Sequence, residues 1–200
     1  MNKLSNRKAA KSVSTYDFST LYTNIPHDKL IKTLSSVIDF AFKGRTQGKI
    51  SITSYGIANW CNSSKYFVFD IKSLKKAVEY VIYNCYFAIG NQVFQQIIGI
   101  PMGSDPAPFF ANLFLFYYEW QYINNLKKGN VLSARKFYYT FRFIDDLITI
   151  NNTNFEINIR NIYPAELELK KENQNDNNAH FLDLNIENSN SKFITKLYTI

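Results

Sequence analysis

Two adjacent carboxylates, Asp145 and Asp146, interrupt a strongly apolar stretch of the chain. The flanking runs, 136–144 and 147–150, are rich in aromatic and β-branched residues. This pattern predicts a strand, a tight turn and a returning strand, with both aspartates at the turn. Whatever fold the chain adopts must therefore accommodate two negative charges at the tip of one hairpin.

Two interpretations of this pair are open. Like charges so close together raise each other's pKa unless a cation neutralises them, which favours a divalent metal site. An ordinary Asp-rich turn is the simpler interpretation, since Asp forms local hydrogen bonds in turns, and for an isolated pair it is the better one. The choice depends on what the rest of the sequence places beside these residues.

The composition is that of a globular protein with a modest positive charge. The 200 residues suit one domain, or one domain with an insertion, and can bury a substantial core. The net charge of +7 permits a polyanionic partner but is too scattered to indicate nucleic acid by itself. Cys61 and Cys85 have neither a short spacing nor a nearby His, so we expect reduced intracellular thiols rather than disulfides or zinc ligands.

No segment predicts secretion or insertion into a membrane. The basic residues at the N-terminus are not followed by an apolar core. The most apolar run, 106–123, contains polar residues and is short for a bilayer, which requires about 20 apolar residues. It predicts a buried helix over 109–126, and we expect no membrane partner.

Hydrophobic periodicity predicts an α+β fold. The alternation over 13–18 indicates a strand that ends near Asp17, and a helix is expected to start after Pro26. A second helix should begin at Asp70 or Ser73, whereas 51–66 reads as irregular. The remaining expected elements are a hairpin around Gly90 and Asn91, an amphipathic segment over 155–163, a strand over 166–171, and a closing hairpin formed by 179–187 and 192–200.

Three carboxylates, those of Asp17, Asp145 and Asp146, thus stand at the ends of predicted strands. If these strands are neighbours in an antiparallel sheet, the carboxylates converge and can hold two hard cations about 3.5–4 Å apart. Two such ions activate an attacking oxygen and stabilise a leaving pyrophosphate. The pattern therefore predicts a nucleotidyl-transfer site with Mg²⁺ or Mn²⁺.

Four motifs in this order resemble reverse transcriptases, and above all those of Penelope-like retroelements. The motifs are Asp17–Pro26, Gly99–Gly103 with residues 107–113, Arg142–Asp146, and Phe181–Leu184. The resemblance extends over residues 13–200, and four motifs at compatible spacing are more specific than any one of them. It implies a single RNA-directed DNA polymerase domain: an α+β palm over 13–187, its antiparallel sheet packed on helices, with a partial fingers-like insertion at about 44–98 and an incomplete thumb.

The resemblance implies roles for individual residues at the metal site. Asp17, Asp145 and Asp146 would be catalytic and would bind two Mg²⁺ or Mn²⁺ ions together with the backbone carbonyl of Phe18. Lys170 or Lys171 would be the general acid that protonates pyrophosphate, although a Lys on an exposed strand edge needs no such role.

It also implies contacts to nucleotide and primer. Tyr22 would lie beneath the incoming sugar and exclude a 2′-hydroxyl by collision, whereas outside this motif it would be an ordinary buried Tyr. The loop of Pro101, Met102 and Gly103 would lie against the nascent base pair, where Met102 replaces the Gln of retroviral enzymes; without the resemblance it would be a plain helix-entry loop. The primer grip would be formed by Phe181, Leu182, Asp183 and Leu184.

The implied partners are an RNA template, a DNA primer and deoxynucleoside triphosphates, in an intracellular and, for a retroelement, nuclear setting. Only sixteen residues precede Asp17, and the chain stops about where a thumb would begin. We therefore expect it to fold but to extend primers poorly or, as a truncated fragment, not at all, because few basic contacts would grip phosphate. The alternative is a non-catalytic, nucleic-acid-binding palm-like module; a two-metal nuclease would not explain Tyr22 or the Gly-Pro loop.

Overall fold

The computed structural model describes residues 10–62, 67–100 and 103–197. Within these ranges the chain is a mixture of helices and antiparallel strands, as the α+β prediction requires. The helices are α1 (His27–Phe42), α2 (Ile71–Tyr83), α3 (Ala107–Gly129), α4 (Val131–Arg135) and α5 (Phe155–Ile162). The strands are β1 (Val13–Phe18), β2 (Lys49–Ile52), β3 (Ala58–Cys61), β4 (Phe67–Asp70), β5 (Tyr86–Ile89), β6 (Gln92–Gln95), β7 (Thr140–Phe143), β8 (Asp146–Ile150), β9 (Leu169–Lys171), β10 (Asn178–Phe181), β11 (Leu184–Ser189) and β12 (Lys192–Leu197).

The chain divides into two compact units. The first contains Met1–Leu21 and Tyr118–Ile200, and the second contains Tyr22–Tyr117. The expected insertion at 44–98 falls inside the second unit, which extends beyond it on both sides. The division of the chain into a palm core and an insertion stays a prediction.

The main sheet of the first unit has four antiparallel strands in the order β7-β8-β1-β9. Its central strand, β1, occupies the residues predicted for it, and its side chains are buried on both faces except at Asp17. A second sheet, β10-β11-β12, shares a hydrophobic cluster with the first. The fully buried members of that cluster are Val13, Ile148, Ile150, Ala179 and Ile186.

Three strand predictions in this unit were wrong in their bounds. The predicted strand 166–171 begins only at Leu169, because a turn closed by the hydrogen bond from Leu167 N–H to the carbonyl of Pro164 at 3.1 Å precedes it. The run 136–144 becomes strand only at Thr140, because Asn130 caps the short helix α4 and successive turns continue to residue 139. The expected strand 179–187 is broken after Phe181 into β10 and β11, where Leu182 adopts a φ of 52°. The predicted strand 192–200 is present as β12, and its last three residues lie outside the described part of the chain.

The second unit contains the sheet β3-β2-β4, the hairpin β5-β6, and helices α1 and α2. The prediction that 51–66 is irregular was wrong for 51–52 and 58–61, where β2 pairs with β3 and Trp60 packs edge-on against Phe42 at 4.8 Å. Residues 63–66 lie outside the described part of the chain. Helix α2 is capped as expected by Asp70, whose carboxylate accepts a hydrogen bond from the backbone N–H of Ser73 at 2.7 Å.

Helix α3 extends two residues earlier and three residues later than the predicted 109–126. It is buried along one face rather than all round: Ala107, Phe110, Ala111, Phe114 and Leu115 are buried, whereas Phe109 is 69% exposed. Across the described ranges, neither this helix nor any other combines the length and the apolar character needed to span a bilayer.

Candidate active site

The hairpin that carries the two aspartates has a two-residue turn. Phe143 pairs with Asp146, so Ile144 and Asp145 form the turn and Asp146 is the first residue of β8. The prediction that both aspartates lie at the turn is corrected here, because the strand resumes one residue earlier than expected. The consequence is geometric: Asp146 has a fixed position in the sheet, whereas Asp145 projects from the turn.

The turn itself is strained. Ile144 has a φ of 53°, and φ is not positive at Asp145, which is the pattern of a type II′ turn. Glycine is usual at the first position, and a β-branched residue there costs on the order of 1–3 kcal/mol. The peptide carbonyl of Asp145 accepts a hydrogen bond from the backbone N–H of Phe18 at 3.3 Å, which ties the turn to β1.

The central strand β1 places Asp17 between one residue of β8 and one of β9. Asp17 lies directly opposite Asp146 on one side and directly opposite Lys170 on the other. Residues directly opposite in antiparallel strands share a face of the sheet. A row of two carboxylates and one ammonium group therefore crosses the sheet, and β1 and β8 are neighbours, as convergence of the aspartates requires.

The pKa values of the aspartates reflect the crowding of negative charge. Burial, and then the charge of Asp145, raises the pKa of Asp17 above its ordinary value, while Lys170 partly opposes that increase. The pKa of Asp146 is raised by burial and by the charges of Asp145 and Asp17. The three carboxylates are therefore within electrostatic reach of one another, and each negative charge makes the next less favourable.

A fourth carboxylate, that of Glu172, interacts electrostatically with Asp17 and Asp146. It was not identified from the sequence. Burial and the charges of Asp17 and Asp146 raise its pKa. Its backbone N–H donates to the carbonyl of Thr15 at 3.0 Å, which continues the pairing of β9 with β1. The signal that could have revealed it is alternation, because Glu172 follows Lys170 by two residues and so shares its face.

The carboxylates of this site are suitable ligands for a hard divalent cation, although they are not arranged around one position. Among the described residues, no group of three or more His, Cys, Asp or Glu side chains is arranged to hold a metal ion. Carboxylate oxygens are the ligands that Mg²⁺ and Mn²⁺ prefer. Asp17, Asp145 and Asp146 are the residues that would hold it, with the carbonyl of Phe18, which accepts a long hydrogen bond of 3.4 Å from Leu21. Two-ion binding stays a prediction.

The structure distinguishes the two candidates for the general acid. Lys170 lies opposite Asp17, is exposed, and has its Nζ 3.5 Å from the carboxylate of Glu168. Lys171 lies opposite Tyr16, and its Nζ donates to Asp176 at 2.7 Å. Only Lys170 of these two shares the face of the aspartates.

In the second unit, backbone contacts join Tyr22 to the Gly-rich loop. The carbonyl of Tyr22 accepts a hydrogen bond from Ile100 N–H at 2.9 Å, and Gly99 N–H donates to the carbonyl of Ile25 at 2.8 Å. The ring Nε2 of buried His27 lies 3.0 Å from the carbonyl of Gly99. Gly103 has a φ of 86°, while Pro101 and Met102 lie outside the described residues.

The segment predicted as a primer grip is a hairpin in the first unit. Phe181 pairs with Leu184, and Leu182 and Asp183 form an exposed turn with a φ of 52° at Leu182. A cavity of about 470 Å³ separates this hairpin from the one that carries the aspartates. Its lining consists of Phe141, Ile148, Phe181, Leu182, Asp183, Leu184 and Leu197.

Comparison with solved structures identifies proteins of similar fold. Telomerase from Candida albicans, in complex with the TWJ fragment of telomeric RNA, is similar with a TM-score of 0.60 and 14% identity over 96% of this chain. Apo telomerase from Candida tropicalis gives a TM-score of 0.60 and 14% identity over 98% of this chain. The fold is reverse-transcriptase-like. This chain spans 33% of the length of each of these telomerase chains.

Sequence comparison adds no family assignment. The chain matches no protein-family model, and no curated protein is significantly similar to it in sequence. The likeness to telomerase at 14% identity therefore establishes the reverse-transcriptase-like fold alone.

Folding raises the pKa of Asp146 above its ordinary value of 3.8. At pH values between 3.8 and the raised pKa, the folded chain therefore binds more protons than the unfolded chain. Without metal, this group therefore costs stability above its raised pKa and costs none below 3.8. We expect Asp146→Asn to melt roughly 2 °C higher than the wild type at pH 7, and at the same temperature near pH 3, by calorimetric melting in EDTA.

Asp176→Asn is the control with the opposite sign. The hydrogen bond from Lys171 lowers the pKa of Asp176, so this carboxylate stabilises the folded chain above its ordinary pKa, and that stability is lost as the pH falls. Asp176→Asn should therefore melt lower than the wild type at pH 7. An Asp146→Asn variant that also melts lower at pH 7 would contradict the electrostatic description of the site.

Proposed function

We propose that this chain is the palm region of an RNA-directed DNA polymerase. It would transfer a nucleotide from a deoxynucleoside triphosphate to the 3′-hydroxyl of a primer, at two divalent ions. One observation carries the proposal: Asp17 lies directly opposite Asp146 in the sheet of a reverse-transcriptase-like fold, and Lys170 completes the row.

Asp17, Asp145 and Asp146 would hold the two ions, with the carbonyl of Phe18. The ions, when bound, activate the attacking hydroxyl and neutralise the charge that develops on the leaving pyrophosphate. The protein's own contribution is positional, because β1 and β8 fix two of the carboxylates in register. Lys170 would give its Nζ proton to the departing pyrophosphate, because its exposed side chain shares the face of the aspartates.

We further propose an RNA template and a DNA primer as partners. One of the telomerases of similar fold is complexed with a fragment of telomeric RNA, and the net charge of +7 suits a polyanion. The motifs that resemble Penelope-like retroelements support an origin in such an element, and with it an intracellular, nuclear setting. The hairpin Phe181–Leu184 would grip the primer, and Gly103 with its neighbours would lie against the nascent base pair.

The test is primer extension at low salt on a homopolymer RNA template. The reaction is run with matching deoxynucleotides and Mg²⁺, with Mn²⁺, and with EDTA, and template binding is measured in parallel by fluorescence anisotropy. We expect weak, metal-dependent addition. Template binding without addition under either metal would contradict the polymerase and leave a nucleic-acid-binding module; neither binding nor addition would contradict both.

A separate prediction concerns sugar selection by Tyr22. If its ring excludes a 2′-hydroxyl, Tyr22→Val should admit ribonucleotides and reduce the preference for deoxynucleotides by roughly 100-fold. Tyr22→Phe keeps the ring and should keep the preference. The measurement is single-nucleotide addition with dTTP against UTP on a poly(A) template. An unchanged preference in Tyr22→Val would remove Tyr22 from the nucleotide site without affecting the metal assignment.

A further inference from the structure

The strained turn of the aspartate hairpin is held by one arginine. Arg142 lies on β7, two residues before Ile144, and its side chain is only 10% exposed. Its Nη1 donates to the carbonyl of Ile144 at 2.9 Å. Its Nε and Nη2 donate to the two carboxylate oxygens of Glu119, at 2.7 and 3.2 Å. One guanidinium group therefore links helix α3 to the peptide carbonyl at the most strained residue of the turn.

Glu119 is itself oriented by a second partner. The hydroxyl of Tyr163 donates to the Oε1 atom of Glu119 at 2.9 Å. Tyr163 is 5% exposed, and its ring meets that of Phe18 edge-on, with centroids 4.8 Å apart. Since Phe18 N–H donates to the carbonyl of Asp145, both carbonyls of the turn are held by residues that are linked through Glu119 and Tyr163. This set of contacts, from Arg142, Glu119 and Tyr163, is here called the turn clamp.

Apolar packing restrains the edge strand of this hairpin only weakly, so its turn depends on polar contacts. The side chains of Phe141 and Phe143 on β7 are 50% and 56% exposed, so apolar packing does not fix this edge strand. A positive φ at a β-branched residue persists only where the surroundings impose it. If Ile144 relaxed to a negative φ, the peptide before Asp145 would rotate, and the direction of the Asp145 side chain would change with it.

We propose that Arg142 is a positioning residue for the metal site, which fixes the direction of Asp145 by holding the strained turn at Ile144. The inference rests on the proposed function, because it assigns the clamp to metal binding. An arginine is required, since its planar fork can serve a bidentate carboxylate and a carbonyl at once, whereas a lysine ammonium group cannot match that geometry.

A purely structural role must be separated from a positioning role, because breaking a buried ion pair lowers stability in either case. Ile144→Gly provides the separation. Glycine adopts a positive φ without steric cost, so the turn of this variant no longer needs to be held. Ile144→Gly should therefore rescue the function of an Arg142 variant if the clamp holds the turn, and should not rescue it if Arg142 only stabilises the fold.

The experiment measures Mn²⁺ affinity by calorimetry for wild type, Arg142→Lys, Glu119→Gln, Ile144→Gly, and each clamp variant combined with Ile144→Gly. All are compared at a temperature where circular dichroism shows them folded. We expect Arg142→Lys to bind Mn²⁺ about 10- to 100-fold more weakly than the wild type, and Glu119→Gln to lose less affinity. Adding Ile144→Gly to either variant should restore most of the affinity. Lys75→Gln, which removes the 2.6 Å pair with Asp39, is the matched control and should bind Mn²⁺ as the wild type does.

Hydrogen exchange of the amides of residues 143–147 gives a readout that does not depend on metal. It should quicken selectively in Arg142→Lys and slow again when Ile144→Gly is added. Unchanged affinity and exchange in Arg142→Lys would overturn the inference, as would a loss that Ile144→Gly does not rescue. If the wild type binds no Mn²⁺, the metal site is refuted. The turn clamp would still stand in that case if hairpin exchange quickens in Arg142→Lys and slows again when Ile144→Gly is added.

Discussion

Replacing Asp17, Asp145 or Asp146 by Asn is expected to reduce template-directed nucleotide addition by about 1000-fold or more. Metal ions stabilise the charge of the transition state by several kcal/mol, and each 1.4 kcal/mol or so corresponds to a tenfold change in rate. Asn keeps the size of the side chain but removes the charge that attracts the cation. A single substitution should therefore remove most of the catalysis while leaving the fold intact.

The measurement is single-nucleotide addition to a labelled primer, sensitive enough to follow a slow reaction. Asp39→Asn is the matched control, because it makes the same chemical change at a carboxylate that pairs with Lys75 on α2. Melting temperatures verify folding, and Asp146→Asn should be no less stable than the wild type at pH 7. Retention of more than a tenth of the wild-type rate in Asp146→Asn would show that this carboxylate is not part of the reacting site.

The second large effect is expected on stability, from Gly99→Ala. Gly99 has a φ of 86°, and an added Cβ would collide with the carbonyl oxygen of Tyr22 and lie 3.1 Å from Gln96 Nε2 and from Thr23 Cα. The carbonyl of Tyr22 cannot move freely, because it accepts the hydrogen bond from Ile100. We expect a loss of about 3–5 kcal/mol of the unfolding free energy, from strain and backbone displacement together.

Gly90→Ala separates the two contributions. Gly90 also has a positive φ, of 59°, but a Cβ there would meet nothing within 4 Å. Its cost should be limited to the left-handed conformation, about 1–2 kcal/mol. Unfolding in urea can be followed through Trp60 of the second unit in a Trp120→Phe background, because the chain has only these two Trp. Equal losses for the two alanine variants would contradict the close approach at Gly99.

Much of the first unit could be predicted from local sequence. Strand β1 is recognisable because four of its six residues, Val13, Thr15, Tyr16 and Phe18, are β-branched or aromatic. The hairpin around Asp145 was predicted from its apolar flanks, yet its turn was misplaced by one residue, because Ile144 adopts a conformation that its side chain disfavours. Local propensity predicts the common geometry, and functional sites often depart from it.

The features that the sequence did not reveal depend on partners distant in the chain. Strands β2 and β3 have four residues each, too short for periodicity to be seen, and they exist because they pair with one another. Glu172 and Lys170 acquire their place from β1, more than 150 residues earlier. Nothing local links Arg142 to Glu119, because their contact forms only when α3 packs beside β7.

The most direct test of the central claim, that Asp17, Asp145 and Asp146 form one metal site, is calorimetric titration of Mg²⁺ and Mn²⁺ into the wild type, Asp145→Asn and Asp146→Asn. The wild type should bind two ions per chain, and each variant should bind more weakly, since a carboxylate ligand has been lost. Both variants should also lose the metal-induced rise in melting temperature that the wild type is expected to show. Unchanged affinity for both ions in both variants would contradict the claim.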